Sequence, residues 1–450
     1  MTTLFGVLLS AGGIAVAGWL IHHRRAVAAA FGGGATAIAF IGFAVLTNAA
    51  PVLAGDHSSA LIGLLVFALV AWLFLARRGR LAGPPDIWRR ICLGLAGAML
   101  VWCVAVDLLT GDGVYGSRMP AYAAAGLLLL AVWLLGAGAP VSLGAMAYTG
   151  LAVLSLLTIP TAVYGQAWRA CTGGQLEKCS LAGGLFKSFY DSENYIALIT
   201  SFTLVAAVCA LRGMQRWAVV AFCLLVIVAT GSRTSYLALA AVACWVFGAM
   251  LLEWRRPYQR INFVLCVSLV IGAVATATYL TWSASKNTLS NRGNIWIHAR
   301  EYIAGSEGTG VGVSKWYLLR DIGEAPHHFF HSGYVLAIFS GGFVALTLWG
   351  LLLATLLRAP VVDGRAFSAK APVALFMIYS FTEVVWNPLS ADGLTWIFAL
   401  LVLTVSTLGS TGRVTVDASA TAGHRPGALA RFRRLTGRPP LGQVTTDARD

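Results

Sequence analysis

Asn291-Arg292-Gly293-Asn294-Ile295-Trp296, Gly308-Thr309-Gly310-Val311-Gly312 and Pro326-His327-His328-Phe329-Phe330-His331-Ser332-Gly333-Tyr334 follow one another in a polar stretch. It runs into an apolar segment carrying Gly341-Gly342, the second glycine eleven residues after His331. Nearly everything around it is apolar. Of 450 residues, 58% are hydrophobic and 11% charged, and the mean hydropathy is +0.76. A soluble domain carries about 25% charged residues. Apolar runs of about 20 residues, the length that crosses a hydrocarbon core, recur along the chain. In lipid the backbone must satisfy its own hydrogen bonds, which leaves spanning helices or a closed barrel. Long Leu/Ala/Val-rich runs without alternation select helices. The predicted fold class is an all-α polytopic integral membrane protein with one large extracytoplasmic loop, 283–331.

Working outward from that loop, about thirteen helices are predicted, over 4–21, 27–47, 59–76, 91–110, 120–136, 142–163, 194–211, 217–230, 235–252, 261–282, 332–357, 372–388 and 394–409. The first has no basic residues before it and no clear cleavage site, and reads as a retained helix. The connecting segments sort into two sets. One holds Arg24/Arg25, Arg77/Arg78/Arg80/Arg89/Arg90, Arg212/Arg216, Arg255/Arg256/Arg260, Arg358/Arg365/Lys370 and the tail. The other holds Asp56, Asp112/Arg118, a cysteine-containing loop, Gly231-Ser232-Arg233-Thr234, the 283–331 loop and Asp392. Every strongly basic segment falls in the first set, which the positive-inside bias assigns to the cytoplasm. The N-terminus is then outside and the C-terminus inside. Three polar elements share the outer face: the large loop, the cysteine loop and Arg233. The organisation read from this is N-terminal helices and cysteine loop over 1–182, a membrane region containing the 283–331 loop over 183–409, and a basic tail over 410–450. The tail carries Arg431, Arg433 and Arg434, three prolines and few large apolar residues, a composition that favours disorder and contact with anionic lipid.

The net charge of +14 follows from the same bias. Its scatter among short loops argues against nucleic-acid binding. Six of the eight cysteines sit in apolar segments as small hydrophobes. Cys171 and Cys179 share a polar loop and suit a disulfide if it faces an oxidising compartment.

Several polar residues are placed for chemistry. Arg233 stands in a short break between apolar runs, where an arginine either snorkels or binds an anion. Ser232, Thr234 and Ser235 add hydroxyls at the start of the next helix, a setting that suits phosphate. Ile295, Trp296, Ala299, Tyr302 and Ile303 recur at helical spacing, so 292–304 reads as an amphipathic surface helix carrying Arg292 and Arg300. For Arg300 a solvated polar face is the preferred reading. His327, His328 and His331 do not match a zinc spacing, and no Cys or carboxylate pair completes a site, so no metal is assigned. A histidine acting as general base fits better, with nearby arginines tending to keep it neutral. Gly308, Gly310 and Gly312 match no Walker or Rossmann spacing.

Taken together, these residues resemble the bacterial O-antigen ligases and the related O-antigen polymerases. The family's Ser-Arg after a middle helix is matched by Ser232-Arg233, and its Arg followed by Trp by Arg292 and Trp296. Its Gly-x-Gly is matched by Gly310-Val311-Gly312. Its loop ends in a His-Asn-x-Tyr-like element with a glycine about eleven residues on, matched by His331-Ser332-Gly333-Tyr334 and Gly342. An Asn-x-x-Ala is matched by Asn194-Tyr195-Ile196-Ala197. The resemblance covers residues 183–409. Ser332 stands where the family usually has Asn, His327 and His328 are rival partners for the histidine, and the cysteine pair is not expected of the family.

The resemblance implies a transferase with no nucleotide-sugar donor and no cofactor, in the bacterial inner membrane. The donor would be a glycan on polyprenyl diphosphate and the acceptor a glycan, lipid or wall hydroxyl. His331 would be the base and Arg233 and Arg292 the diphosphate clamp. Ser232, Thr234, Asn194, Trp296, Arg300, Gly310, Gly312 and His328 would contact substrate. The competing class is a lipid-linked glycan transporter or flippase. Transporters place ionisable groups at the membrane midplane and interrupt paired helices. Here Asp107 and Glu383 lie toward predicted helix ends, as candidates to line the outer cavity.

Overall fold

A computed structural model of the chain describes residues 1–76, 85–110, 118–137, 141–162, 164–171, 178–255, 263–288, 292–326, 330–361 and 368–405. Asn291, His327, His328 and the basic tail lie outside the described residues. The described elements are helical apart from a two-residue antiparallel ladder, β1 (Trp168–Arg169) with β2 (Leu185–Phe186), and an isolated bridge between Val361 and Val405.

The helices are α1 (Thr2–His22), α2 (Arg24–Ala30), α3 (Gly34–Ala54), α4 (Ser58–Ala76), α5 (Ile87–Leu109), α6 (Met119–Gly136), α7 (Leu143–Thr158), α8 (Glu193–Ala210), α9 (Gly213–Thr230), α10 (Arg233–Arg255), α11 (Phe263–Ser283), α12 (Arg292–Ile303), α13 (Val313–Asp321), α14 (Gly333–Arg358), α15 (Ala371–Tyr379) and α16 (Thr395–Leu403). Among the described residues, ten stretches are long and apolar enough to cross a membrane. One of them, Gly34–Ala76, contains both α3 and α4, which turn at Gly55–His57 and pack side by side. The protein is thus a polytopic α-helical membrane protein. α7, α8 and α14 to α16 form the centre, and every residue of α16 is buried.

The predicted count of thirteen is not reproduced, chiefly because the last two predicted spans are short. α15 and α16 have nine residues each. At 1.5 Å per residue, each is about 14 Å long, against a hydrocarbon core of about 30 Å. The predicted helix 372–388 stops at Tyr379, and residues 380–394 form an irregular connection. Pro388 lacks an N–H and disfavours helical geometry at Asn387. Such backbone needs partners supplied by protein. Asn387 Oδ1 accepts from Leu389 N (3.0 Å), and Gly333 N donates to the carbonyls of Ser380 (2.9 Å) and Glu383 (3.2 Å).

The large loop is also more ordered than a surface helix in a polar stretch. It contains α12 and α13, and the apolar face of α12 is covered by protein, packed on α11 and α14. The three loop glycines have a backbone role. α14 is broken at Gly341 and Gly342, which leave helical φ/ψ. The 308–312 segment docks into that break, with Val311 N donating to Phe339 O (2.9 Å) and Phe343 N to Glu307 O (2.9 Å). A Cβ on Gly310, whose φ is +78°, would lie 2.5–2.8 Å from the backbone of Gly342, Gly341 and Phe339. No side chain fits so close an approach.

Candidate functional site

The start of α14 fixes the candidate site. Ser332 has extended backbone, and its side chain accepts from Val335 N (3.3 Å), capping the helix. Serine and asparagine are both strong caps, which accounts physically for the departure at this position. Ser332 Oγ also donates to Ser380 O (3.0 Å), tying α14 to the end of α15. Immediately before the cap, His331 has φ +47°, a left-handed conformation that is costly for a residue with a Cβ. The turn sends Phe330 into the core, its ring 4.4 Å from Trp316 and 4.8 Å from Phe339. It sends the imidazole to Glu383, whose Oε2 lies 3.5 Å from His331 Nδ1.

Glu383 also receives Arg292. The guanidinium, at the first position of α12, donates to Glu383 Oε1 (2.6 Å) and to the carbonyl of Thr382. One carboxylate therefore joins three elements: the start of α12, the residue before α14 and the 380–394 connection. Burial opposes ionisation of Glu383, but the hydrogen bond with His331 and the charge of Arg292 outweigh it and hold the carboxyl below its usual range. In the sequence Glu383 stands only as a cavity candidate, outside the predicted site residues. Its signal is faint: a carboxylate in an apolar stretch, just before Asn387-Pro388.

The other sequence-predicted residues gather at the first turn of α8, where three successive side chains reach three elements. Glu193, buried, pairs with Arg169 (2.7 Å) and with Lys178. Asn194 accepts from Ser232 Oγ (2.8 Å), and Tyr195 faces the 380–394 connection at Gly393. Cys171 and Cys179 are bonded, with Cα atoms 4.7 Å apart, so the segment carrying Arg169 and Lys178 is clipped beside α8. Gly231 ends α9 in left-handed conformation, and two residues later α10 begins at Arg233, which is exposed, followed by half-buried Thr234. A chain of hydroxyls runs from Ser232 through Ser235 (3.1 Å) to Tyr379 (2.8 Å). Glu383 N donates to Tyr379 O (2.7 Å), so the Arg233 element and the His331 cluster meet through α15.

Four expected contacts are structural in placement. Trp296 is 1% exposed and donates from Nε1 to Phe330 O (3.0 Å), holding the residue before His331. Arg300 donates to Trp282 O (2.6 Å), pinning α12 to the end of α11. Gly310 and Gly312 serve the docking described above. A Cβ at Gly312 would lie 2.1 Å from Asp107 Oδ1, which accepts from Ser314 N (3.1 Å). Asp107 is thus a buried anchor for α13 rather than a cavity residue.

Arg292, Glu383 and His331 thus lie together at one end of the helix bundle of a polytopic membrane protein. Residues 218–350 match the family model described as O-Antigen ligase, which supports the O-antigen ligase and polymerase family and a glycosyltransferase-like role. The match includes Arg233, Arg292 and His331, whereas Asn194 and Glu383 lie outside it. No curated protein matches the chain.

Proposed function

We propose that the chain is a metal-independent, inverting glycosyltransferase. It would move a glycan from polyprenyl diphosphate to an acceptor hydroxyl at the outer face of the bacterial inner membrane, as in O-antigen ligation or surface-polysaccharide polymerisation. The observation that carries this reading is Glu383 set between His331 Nδ1 and Arg292. A carboxylate at Nδ1 favours the tautomer with its proton there, which makes Nε2 the proton acceptor. Beside the arginines expected to keep the histidine neutral, the carboxylate adds orientation, and it stabilises the imidazolium that forms when the proton is taken.

In the reaction, the acceptor oxygen bonds to the anomeric carbon as its proton passes to His331 Nε2. The bond from that carbon to the phosphate oxygen breaks on the opposite side, and polyprenyl diphosphate leaves. Arg233 and Arg292 would neutralise the charge developing on the diphosphate. Arg292 has N–H groups beyond the two bonded to Thr382 and Glu383, since a guanidinium carries five. Orientation rests on the placement of Arg24, Arg25, Arg212, Arg216 and Lys370 at the end away from the cluster. An apolar groove of about 370 Å³ between α11 and α14, lined by Val270, Val274, Phe343 and Leu346 among others, suits the polyprenyl chain.

The test is transfer by purified protein from a polyprenyl-diphosphate-linked oligosaccharide in the presence of EDTA. Release of polyprenyl diphosphate that disappears in Arg292→Ala and His331→Ala is the expected result. Product size then separates ligation from polymerisation. Undiminished turnover in His331→Ala would overturn the base assignment. Movement of the donor between leaflets of liposomes without any transfer would replace the enzyme by a flippase.

A further inference from the structure

Within this transferase reading, on which the inference rests, we propose that Tyr190, Tyr195 and Asp392 form a carbohydrate subsite that holds a pyranose ring of the acceptor. The rings of Tyr190 and Tyr195 pack on each other, with centroids 4.2 Å apart at 37°, and both side chains are half-buried. The pair is anchored to its surroundings. Tyr190 donates to Asn48 Oδ1 (2.5 Å), while Asn48, fully buried, donates from Nδ2 to Ala44 O (2.7 Å) and Gly393 O (2.8 Å). Tyr195 meets the chain at Gly393, where a Cβ would lie 2.8 Å from its hydroxyl.

Asp392 is the residue before that contact and is also half-buried. Its Oδ1 accepts from Leu394 N (2.8 Å) and Thr395 Oγ1 (3.0 Å), just before α16. Among the described residues, its Oδ2 and the Tyr195 hydroxyl take part in no hydrogen bond. Two polar groups with accessible surface, beside a fixed pair of aromatic rings, suit a ligand that has an apolar face and a rim of hydroxyls. A pyranose has both: its C–H face packs on an aromatic ring, and its hydroxyls donate to a carboxylate. Tyrosines of an ordinary interfacial belt face headgroups. These two are instead tied to a buried asparagine and a carboxylate-bearing connection.

The position fits an acceptor. The connection 380–394 carries Glu383 near one end and Asp392 near the other. Asn194, which accepts from Ser232 beside Arg233, immediately precedes Tyr195. The ring pair is thus joined to both halves of the candidate site, and neither of the polar groups beside it is a cation, so it is poorly suited to diphosphate.

Tyr195→Phe removes a hydroxyl with no intramolecular partner, and Asp392→Asn keeps an Oδ1 acceptor for Leu394 N and Thr395 Oγ1 while removing the charge. Full-length protein in nanodiscs would be examined by saturation-transfer NMR with the methyl glycosides of glucose, galactose, mannose and rhamnose. Binding of at least one glycoside is expected, weakened about tenfold in each variant, with melting temperatures close to wild type. Equal binding by both variants, or no glycoside bound by the wild type, would overturn the subsite. Binding is read without turnover, so the two readings fail separately. Variant-sensitive glycoside binding without transfer from any lipid-linked donor sinks the transferase alone. His331-dependent transfer with wild-type binding in both variants sinks the subsite alone.

Discussion

Two buried or half-buried cation sites at opposite ends of the helix bundle differ in the partners they use. At the end carrying the basic segments, Arg89 and Lys370 are each 3% exposed, and they bond to backbone carbonyls. Arg89 donates to Gly136 O and Val405 O (2.7 Å each), and Lys370 to Leu356 O (2.6 Å) and Ala359 O. Most of these carbonyls close α6 and α14, whose last turns have no intrahelical donors and carry the negative end of the dipole. At the other end, Arg292 pairs with a carboxylate, and the side chains of Arg292, Glu383 and His331 keep 12%, 14% and 33% of their surface. A dry cation on carbonyls finishes a helix. A partly wet ion pair beside a strained histidine is suited to exchanging protons and partners. Burial and partner type, rather than charge itself, separate the two uses.

That contrast is broken most severely at His331 and Arg292. Alanine at either is expected to lower transfer by at least about 100-fold, while detergent-solubilised protein elutes as a folded species. Equal losses of activity and folded yield would move these residues to the structural side. Glu383→Gln comes next, with a loss of about 10- to 100-fold read as kcat. Its carboxyl is held below the usual range when folded, so its stabilising contribution is complete above the unfolded value of about 4.3 and lost as pH falls through the lower folded one. The melting-temperature gap between wild type and Glu383→Gln should therefore close as pH falls well below about 4.3. A gap that persists undiminished into strong acid would contradict the pairing.

Lys370→Met sharpens the other side. It leaves the Leu356 and Ala359 carbonyls without their cation, at a cost of about 1–3 kcal/mol each for an unmet buried group. Folded yield and melting temperature should fall, with the kcat of the surviving protein unchanged. Ser332→Ala is the smallest effect. Losing the cap costs about 0.5–2 kcal/mol, and Ser332→Asn should recover most of it, as thermal unfolding would show.

Much of this was legible from the sequence because its causes are local. The apolar runs, the break at Gly231-Ser232-Arg233 and the helix beginning at Arg292 all follow from hydropathy and turn chemistry. Arg233, Arg292 and His331 were nominated from polar groups stranded in apolar sequence. The fate of 372–388 was less legible, because a run of that length reads as a span unless Pro388 is given the weight that the surrounding packing gives it. The role of Gly308, Gly310 and Gly312 was hidden altogether, since their partner is the backbone of Gly341 and Gly342 on another helix.

By itself, the sequence determined that this chain crosses a membrane as helices, and it nominated the residues suited to chemistry. Hydrophobic length and charge placement are properties of the chain alone. Only the tertiary structure decided which carboxylate His331 and Arg292 share. Glu383 lies 52 residues from His331 and 91 from Arg292, and no periodicity links positions so far apart. It likewise decided that Trp296 is a buried support and Asp107 an anchor, because burial depends on what packs around a residue.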